Sequence, residues 1–247
     1  MFYISRQKQR HMRILFVAAT GMEVGGFILD FGFRVSDSEK KNIFTIPGSD
    51  ESLQNTLLIT GVGMVATAFA LGKELATNQY DLAVNLGIGG SFDRSIALGE
   101  VVEITDDTLA ELGAEDDDAF LPISIMGLGE STFKATQSVA DLFEGAKSGH
   151  FSQTIKKVNA ITVNTVHGEK ASIDKVSERL NPQLESMEGA AFFYACQHAG
   201  IPAIQIRAVS NYVEKRNRDN WQIGLAVKNL DNFAVSFLKD LKAFNKL

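Results

Sequence analysis

A single cysteine, Cys196, is the only thiol in this chain of 247 residues. With no second thiol there is no disulfide framework and no cysteine-built metal site, and a reducing cytoplasm is the expected location. Histidine is equally sparse. His11, His150, His167 and His198 stand apart without metal-ligand spacing, so no metal is expected. The 4 prolines form no linker, and no internal repeat or low-complexity tract marks a domain boundary. Positive charge is in deficit: 24 Lys and Arg against 30 Asp and Glu give a net charge of −6. A nucleic-acid partner would call for a clustered basic face, so none is expected. No stretch approaches the ~18 consecutive apolar residues of a membrane span, which removes the membrane as a partner. Neither a Gly-x-Gly-x-x-Gly fingerprint nor a Gly-Lys-Ser/Thr phosphate loop is present, and no cofactor is expected. A small-molecule ligand remains.

What is present is enough for one α/β core, since 45% of the residues are hydrophobic. Arg6, Lys8, Arg10 and Arg13 precede the apolar Ile14-Leu15-Phe16-Val17-Ala18-Ala19 in the order of a secretory signal. That run is short for an exported segment and leads straight to Glu23, so it reads as the first buried strand. We read residues 1–11 as a disordered N-terminal extension, with Met12 an alternative start, and 12–247 as the domain. Strand patterns at 14–18, 56–60, 82–86, 101–104, 161–164 and 203–209 alternate with helical ones. This points to βαβ units around a mostly parallel mixed sheet buried on both faces. A helix over 64–78 follows Gly61-Val62-Gly63, and one over 189–199 stops at Gly200 before Pro202. The last helix starts at an Asp219 or Asn220 cap and carries Leu225, Ala226, Leu230, Phe233, Ala234, Phe237, Leu238 and Leu241 at helical spacing. The acidic stretch 106–118 reads as a solvated loop, because it lacks the spacing and glycine of a calcium loop.

Two glycine clusters, Gly61-Val62-Gly63 and Gly87-Ile88-Gly89-Gly90, each follow a strand pattern, where backbone amides can close on a ligand or simply make a tight turn. Glu185-Ser186-Met187-Glu188-Gly189-Ala190-Ala191 opens a helix, and Arg207-Ala208-Val209-Ser210-Asn211 closes a strand. A carboxylate and a primary amide thus stand at two loop ends of one sheet. A carboxylate can accept from two vicinal hydroxyls at once, as a ribose diol offers, or interact with a helix dipole. Arg207 on an apolar strand needs a carboxylate partner, either Glu23 or another acid of the pocket.

These motifs, with Asn85-Leu86-Gly87-Ile88-Gly89-Gly90 and Gly99-Glu100-Val101-Val102, resemble the purine nucleoside phosphorylase and nucleosidase superfamily, and within it most closely the futalosine hydrolases of menaquinone biosynthesis. The resemblance runs from about Arg13 to the C-terminus. It implies a single-domain, three-layer αβα fold of the nucleoside phosphorylase type, often a homo-oligomer of two or more subunits, acting on a nucleoside without a cofactor. By resemblance, Glu188 holds the ribose diol, Met187 packs on the sugar, and Glu23, in Thr20-Gly21-Met22-Glu23, orients the attacking water. Gly87, Ile88 and Gly89 would line the sugar side, with Ile88 where many relatives carry a polar residue. Arg207 and Ser210 support the site.

Adenine-specific relatives carry aspartate where this chain has Asn211. An amide NH2 with two donors suits a 6-oxopurine, so Asn211 argues for hypoxanthine or guanine. Thr165, Val166 and His167 would form the other wall of the base pocket, His167 either stacking on the purine or capping a turn. Between Gly87 and Arg94 there is no Lys or Arg to hold a phosphate dianion, and Glu23 would repel one. The leading expectation is hydrolysis of futalosine to hypoxanthine and dehypoxanthinyl futalosine. Arg216 or Arg218, in the charged stretch before Trp221, would pair with its benzoate carboxylate. The alternatives are another purine nucleosidase of the methylthioadenosine/S-adenosylhomocysteine type, a purine nucleoside phosphorylase, or a nucleoside-binding protein without activity.

Overall fold

The computed structural model describes residues 12–36, 42–46, 55–117, 119–144 and 155–245. The expectation for residues 1–11 lies outside them. In chain order the elements are β1 (Ile14–Ala18), α1 (Gly25–Phe31), β2 (Arg34–Val35), β3 (Ile43–Thr45), β4 (Thr56–Ile59), α2 (Met64–Thr77), β5 (Leu82–Ser91) and β6 (Val101–Leu109). They continue with β7 (Gly113–Asp116), β8 (Ala119–Pro122), β9 (Thr132–Lys134), α3 (Val139–Leu142), β10 (Lys157–Thr162), α4 (Lys170–Leu180), β11 (Leu184–Ser186), α5 (Gly189–Ala199), β12 (Ala203–Tyr212) and α6 (Ile223–Asn245).

One mixed sheet runs in the order β11-β10-β6-β12-β5-β1-β4-β3-β2, with β9 added to β6. Its centre, β4-β1-β5-β12, is parallel throughout. All of β1 is buried, because successive side chains point to opposite faces and both faces are covered. Ile14, Phe16 and Ala18 meet Phe27 of α1 and Ala234, Phe237 and Leu241 of α6. Leu15 and Val17 belong to the opposite core with Leu71 of α2 and Phe192, Phe193 and Cys196 of α5. The helical stripe on α6 is core as expected, but the helix begins at Ile223. Asp219 and Asn220 fall in a preceding 3-10 turn, Arg218–Asn220, where Asn217 accepts from Asp219 N.

Three strands outrun their apolar patterns, and the extra length builds the site. β5 continues through the glycines to Ser91, so the cluster at 87–90 lies within a strand and not after one. Its far end pairs with β11 antiparallel, Leu184 opposite Ser91 and Glu185 opposite Gly90, which closes β5, β12, β6, β10 and β11 on themselves. Gly89 permits that approach: a Cβ there would lie 2.5 Å from Leu184 Cδ2 and 2.8 Å from the Glu185 carbonyl oxygen. β12 continues to Tyr212 with a register shift between Val209 and Asn211, a bulge centred on Ser210 that re-aims Asn211. β6 runs through Leu109, so the stretch read as a solvated acidic loop is a strand end followed by the β7–β8 hairpin. Asp118 lies outside the described residues, and Asp107 is fully buried. No helix among the described residues is long and apolar enough to cross a membrane.

Candidate active site

The C-terminal ends of β1, β4, β5 and β12 and the start of α5 surround a cavity of about 440 Å3. Thr20, Glu23, Ile88, Gly89, Val166, His167, Met187, Glu188, Ser210, Asn211 and Arg216 all line it. Of the remaining residues singled out from sequence, Gly87 and Arg207 lie behind the wall, and Thr165 and Arg218 are exposed and outside the lining.

At one end two carboxylates are gathered by the two glycine clusters. Glu23 follows the turn after β1. Its Oε2 accepts from Thr20 N and Oγ1, both at 3.0 Å, and its Oε1 accepts from Ile88 N at 3.2 Å. Glu188 sits at the N-terminus of α5, but its side chain does not cap that helix; Oε1 accepts from Gly63 N at 3.0 Å. Gly63 takes a φ of 96°, a conformation natural to glycine, which presents its amide there. The backbone amides of both clusters therefore hold carboxylates, which in turn face the cavity. Thr20, which also lines the cavity, adds its amide and its hydroxyl to that hold on Glu23.

Arg207 joins the two acids from beneath. It is 1% exposed, its Nη1 lies 3.8 Å from Glu188 Oε2, and Nη1 and Glu23 Oε1 both reach the space over Gly87. A Cβ on Gly87 would fall 1.9 Å from Nη1, which is why this position is glycine. The ion pair is thus with Glu188. Arg207 still pulls the Glu23 pKa downward, but burial outweighs it and leaves that carboxyl above its ordinary value, with Glu188 adding to the rise. Of the two acids expected as its partner, Arg207 thus pairs with Glu188 and only partly offsets the burial of Glu23.

The opposite end belongs to Asn211. Its Nδ2 donates to the Tyr212 carbonyl at 3.1 Å, and its Oδ1 lies 2.8 Å from Ser210 Oγ. The carbonyl contact fixes the amide orientation and leaves one N–H of Nδ2 for a ligand. Facing it is an acid not singled out from sequence. Glu185, 3% exposed on β11, accepts from His167 N at 3.1 Å and contacts His167 Nδ1 at 2.7 Å. His167 is therefore held by a carboxylate, and its ring lines the cavity. Glu185 was legible only as part of the motif around Met187, since nothing in the pattern marks which acids of that run turn inward.

Toward the mouth the wall is Tyr212, Glu214, Arg216 and Trp221. Arg94 pairs with Glu214, and Asn220 also donates to it. Arg216 lies with its guanidinium 4.9 Å from the Trp221 ring centre, a cation–π contact at the cavity edge. Arg218 is 5.9 Å from the same ring but outside the lining. Among the described residues no three His, Cys, Asp or Glu side chains gather as metal ligands.

A family model for the phosphorylase superfamily matches residues 32–244. The futalosine hydrolase of Streptomyces coelicolor is 36% identical over 181 residues, covering 69% of this chain and 73% of that protein. Among solved structures, futalosine hydrolase of Helicobacter pylori superposes with a TM-score of 0.77 at 14% identity, covering 96% of this chain and 98% of that one. A 5′-methylthioadenosine/S-adenosylhomocysteine nucleosidase of the same organism, with 5′-methylthioadenosine in its active site, gives 0.77 at 15% identity, covering 96% and 100%. With the twin carboxylates over Arg207 at one end and the oriented asparagine amide at the other, the chain belongs to the phosphorylase superfamily and, within it, to the futalosine hydrolase family.

Proposed function

We propose that this chain hydrolyses the N-glycosidic bond of futalosine, releasing hypoxanthine and dehypoxanthinyl futalosine, a step of menaquinone biosynthesis. The observation that carries the reading is the pairing of Glu23 and Glu188 in one cavity with an amide of fixed orientation at its other end. Glu188, anchored through one oxygen to Gly63 N, offers the other to the ribose diol. Met187 packs on the sugar. Glu23 orients water toward the anomeric carbon, where an oxocarbenium-like centre needs little bond making from its nucleophile. The C1′–N9 electron pair leaves with the base, water adds at C1′, its proton passes to Glu23, and the departing base takes up a proton from solvent to become hypoxanthine. The free N–H of Asn211 donates to the 6-oxopurine as charge develops on it, a contribution of about 2.7–4 kcal/mol by analogy with oxyanion-hole donors.

Hydrolysis is favoured over phosphorolysis because two carboxylates face the reacting end and Arg216, at the mouth, is the only Lys or Arg among the described residues of the lining. Of the two arginines expected to meet the benzoate carboxylate, Arg216 lines the cavity and Arg218 does not, which supports Arg216 in that role. The exposed Met22, Val62, Val65 and Phe69, at 81%, 58%, 78% and 69%, support an assembly in which a second copy covers the apolar rim. The lone buried Cys196, its thiol pushed up to about 12 by burial, suits a cytoplasmic protein.

The reading is tested by incubating the purified protein with futalosine, inosine and methylthioadenosine, each with and without phosphate, and measuring the free base. Hypoxanthine released from futalosine alone, at a rate indifferent to phosphate, is the expected result. Phosphate-dependent release from inosine would make the chain a phosphorylase, and release from methylthioadenosine would place it with the adenine-specific nucleosidases.

A further inference from the structure

Behind the cavity wall, out of reach of any ligand, a chain of buried polar groups ends on Arg207. Arg207 Nε donates to Gln205 Oε1 at 3.0 Å, and Gln205 Nε2 donates to Asp107 Oδ2 at 3.1 Å. The other oxygen of Asp107 accepts from Thr162 Oγ1 at 2.8 Å, and that hydroxyl accepts in turn from Ala190 N at 2.7 Å. On its far side Arg207 Nη2 donates to Asn85 Oδ1 at 2.7 Å. Asp107, Thr162 and Gln205 are 0% exposed, and Asn85 and Arg207 are 1% exposed.

The direction of each bond is dictated by the one before it. Thr162 must donate to Asp107, because an ionised carboxylate only accepts, while a lone pair of the same hydroxyl takes the helix amide. Gln205 must then turn its NH2 to the acceptor-only carboxylate, which leaves its carbonyl oxygen toward Arg207, a group that can only donate. Reversal of the Gln205 amide would set NH2 against N–H. A buried ionic chain adds little stability that apolar residues of the same volume would not supply, so its value lies in orientation. Its geometry ties together two parts of the site. Ala190 is two residues beyond Glu188, and Gly189 between them packs so closely that a Cβ would lie 2.0 Å from Asp107 Oδ2 and 2.1 Å from Gln205 Oε1.

We propose that Asp107, Gln205 and Thr162 are positioning residues, a relay that fixes the Arg207 guanidinium beneath Glu23 and Glu188 and sets the start of α5 relative to it. This rests on the proposed hydrolysis at those two carboxylates. The relay requires an acceptor on both oxygens of residue 107, which an amide cannot provide. Asp107→Asn therefore breaks one link, while Asp107→Asn combined with Gln205→Glu restores them all. In that swap the carboxylate now at position 205 accepts from Arg207 and from the amide NH2 now at position 107, and the amide oxygen at 107 accepts from Thr162.

The test measures kcat and KM for futalosine well above pH 7, where Asp107 is a carboxylate, with thermal unfolding alongside, in the unaltered enzyme, each single variant and the swap. Asp107→Asn is expected to lower kcat about tenfold to a hundredfold, as misplacement remote from the reacting atoms does, with KM little changed. The swap is expected to return kcat to within about twofold of the unaltered enzyme, a coupling that independent sites would not show. Unaltered kcat in Asp107→Asn, or a folded swap no faster than the single variants, overturns the relay. If Asp107→Asn does not fold, the swap decides alone: folded and active supports the relay, folded and slow or unfolded overturns it. No cleavage of futalosine by the unaltered enzyme would remove the proposed reaction and this inference together.

Discussion

The two ends of the cavity are built in opposite ways. At the end holding Glu23 and Glu188, each carboxylate accepts from a backbone amide of a glycine cluster, Ile88 N within β5 and Gly63 N at the start of α2, and the arginine beneath them is sealed from water. At the mouth, Arg216 and Trp221 belong to the segment following β12; Arg216 is exposed and is positioned by stacking on one ring and a backbone contact to Gly168. Preorganised charge in a water-poor site acts strongly on a transition state, whereas an exposed cation contributes modestly and is screened. The difference implies a division of labour. On the proposed reading, the buried end carries the cleavage and the mouth selects what the ribose carries.

The largest effects should come from the buried end. Replacing Glu23 with Gln keeps its volume and removes the base, and kcat for futalosine should fall by about 10²–10⁴-fold; a loss under tenfold would remove Glu23 from its role. Gly87→Ala tests the same end without touching a charge. Its methyl would sit 1.9 Å from Arg207 Nη1, so the guanidinium must move. The expected outcome is a drop in kcat of about a hundredfold, with thermal stability lowered as well. An active Gly87→Ala enzyme would show that the position of Arg207 beneath the two acids is dispensable.

This division also explains what the sequence revealed. The core strands announced themselves through apolar runs, and β1 and the stop of α5 at Gly200 fall where the patterns put them. Glu188 and Asn211 stood out as polar residues at the ends of apolar elements, and Glu23 was placed by the resemblance. The extensions of β5, β6 and β12 did not, since they carry glycines in β5, acids in β6 and Ser210-Asn211 in β12. Those residues are held in strands by their neighbours: the end of β5 by β11 and β12, and the far half of β6 by β9 and β10. Asp107 sits among Asp106, Glu111 and Glu115 in the sequence, and local pattern cannot tell the one acid that turns inward. A signal for its partner did exist: in Ala203-Ile204-Gln205-Ile206-Arg207, strand alternation puts Gln205 and Arg207 on one face, two polar groups where a core face should be apolar.

At the mouth, smaller and more selective effects are expected. Arg216→Ala should raise KM for futalosine about tenfold with kcat nearly unchanged, the signature of binding lost equally from ground and transition states. Inosine, which has no carboxylate there, should be unaffected. Arg218→Ala, outside the lining, should leave both constants within about twofold. If Arg218→Ala raises KM and Arg216→Ala does not, the two arginines exchange roles.

The smallest effect concerns stability, and it follows from acids buried without full compensation. Burial pushes Asp107 up from the ordinary 3.8 to about 7, against the lowering influence of its bonds from Thr162 and Gln205 and of the Arg207 charge, while Asp106 adds to the rise. Glu23 and Glu103 are raised by burial as well. Between the ordinary carboxylate range and about pH 7 the folded chain therefore binds more protons than the unfolded one. The contribution of these groups to stability is complete below that ordinary range and is lost as pH rises through the folded values. Acidification from about pH 8 to about pH 6 should accordingly raise the unfolding midpoint by about 2–4 °C. Asp107→Asn, which cannot titrate, should show a shallower slope than the unaltered chain across the same window. An identical slope in the two would mean that Asp107 keeps its charge throughout, held by Arg207 and its two donors; a steeper slope in the variant would contradict the sign of the shift itself.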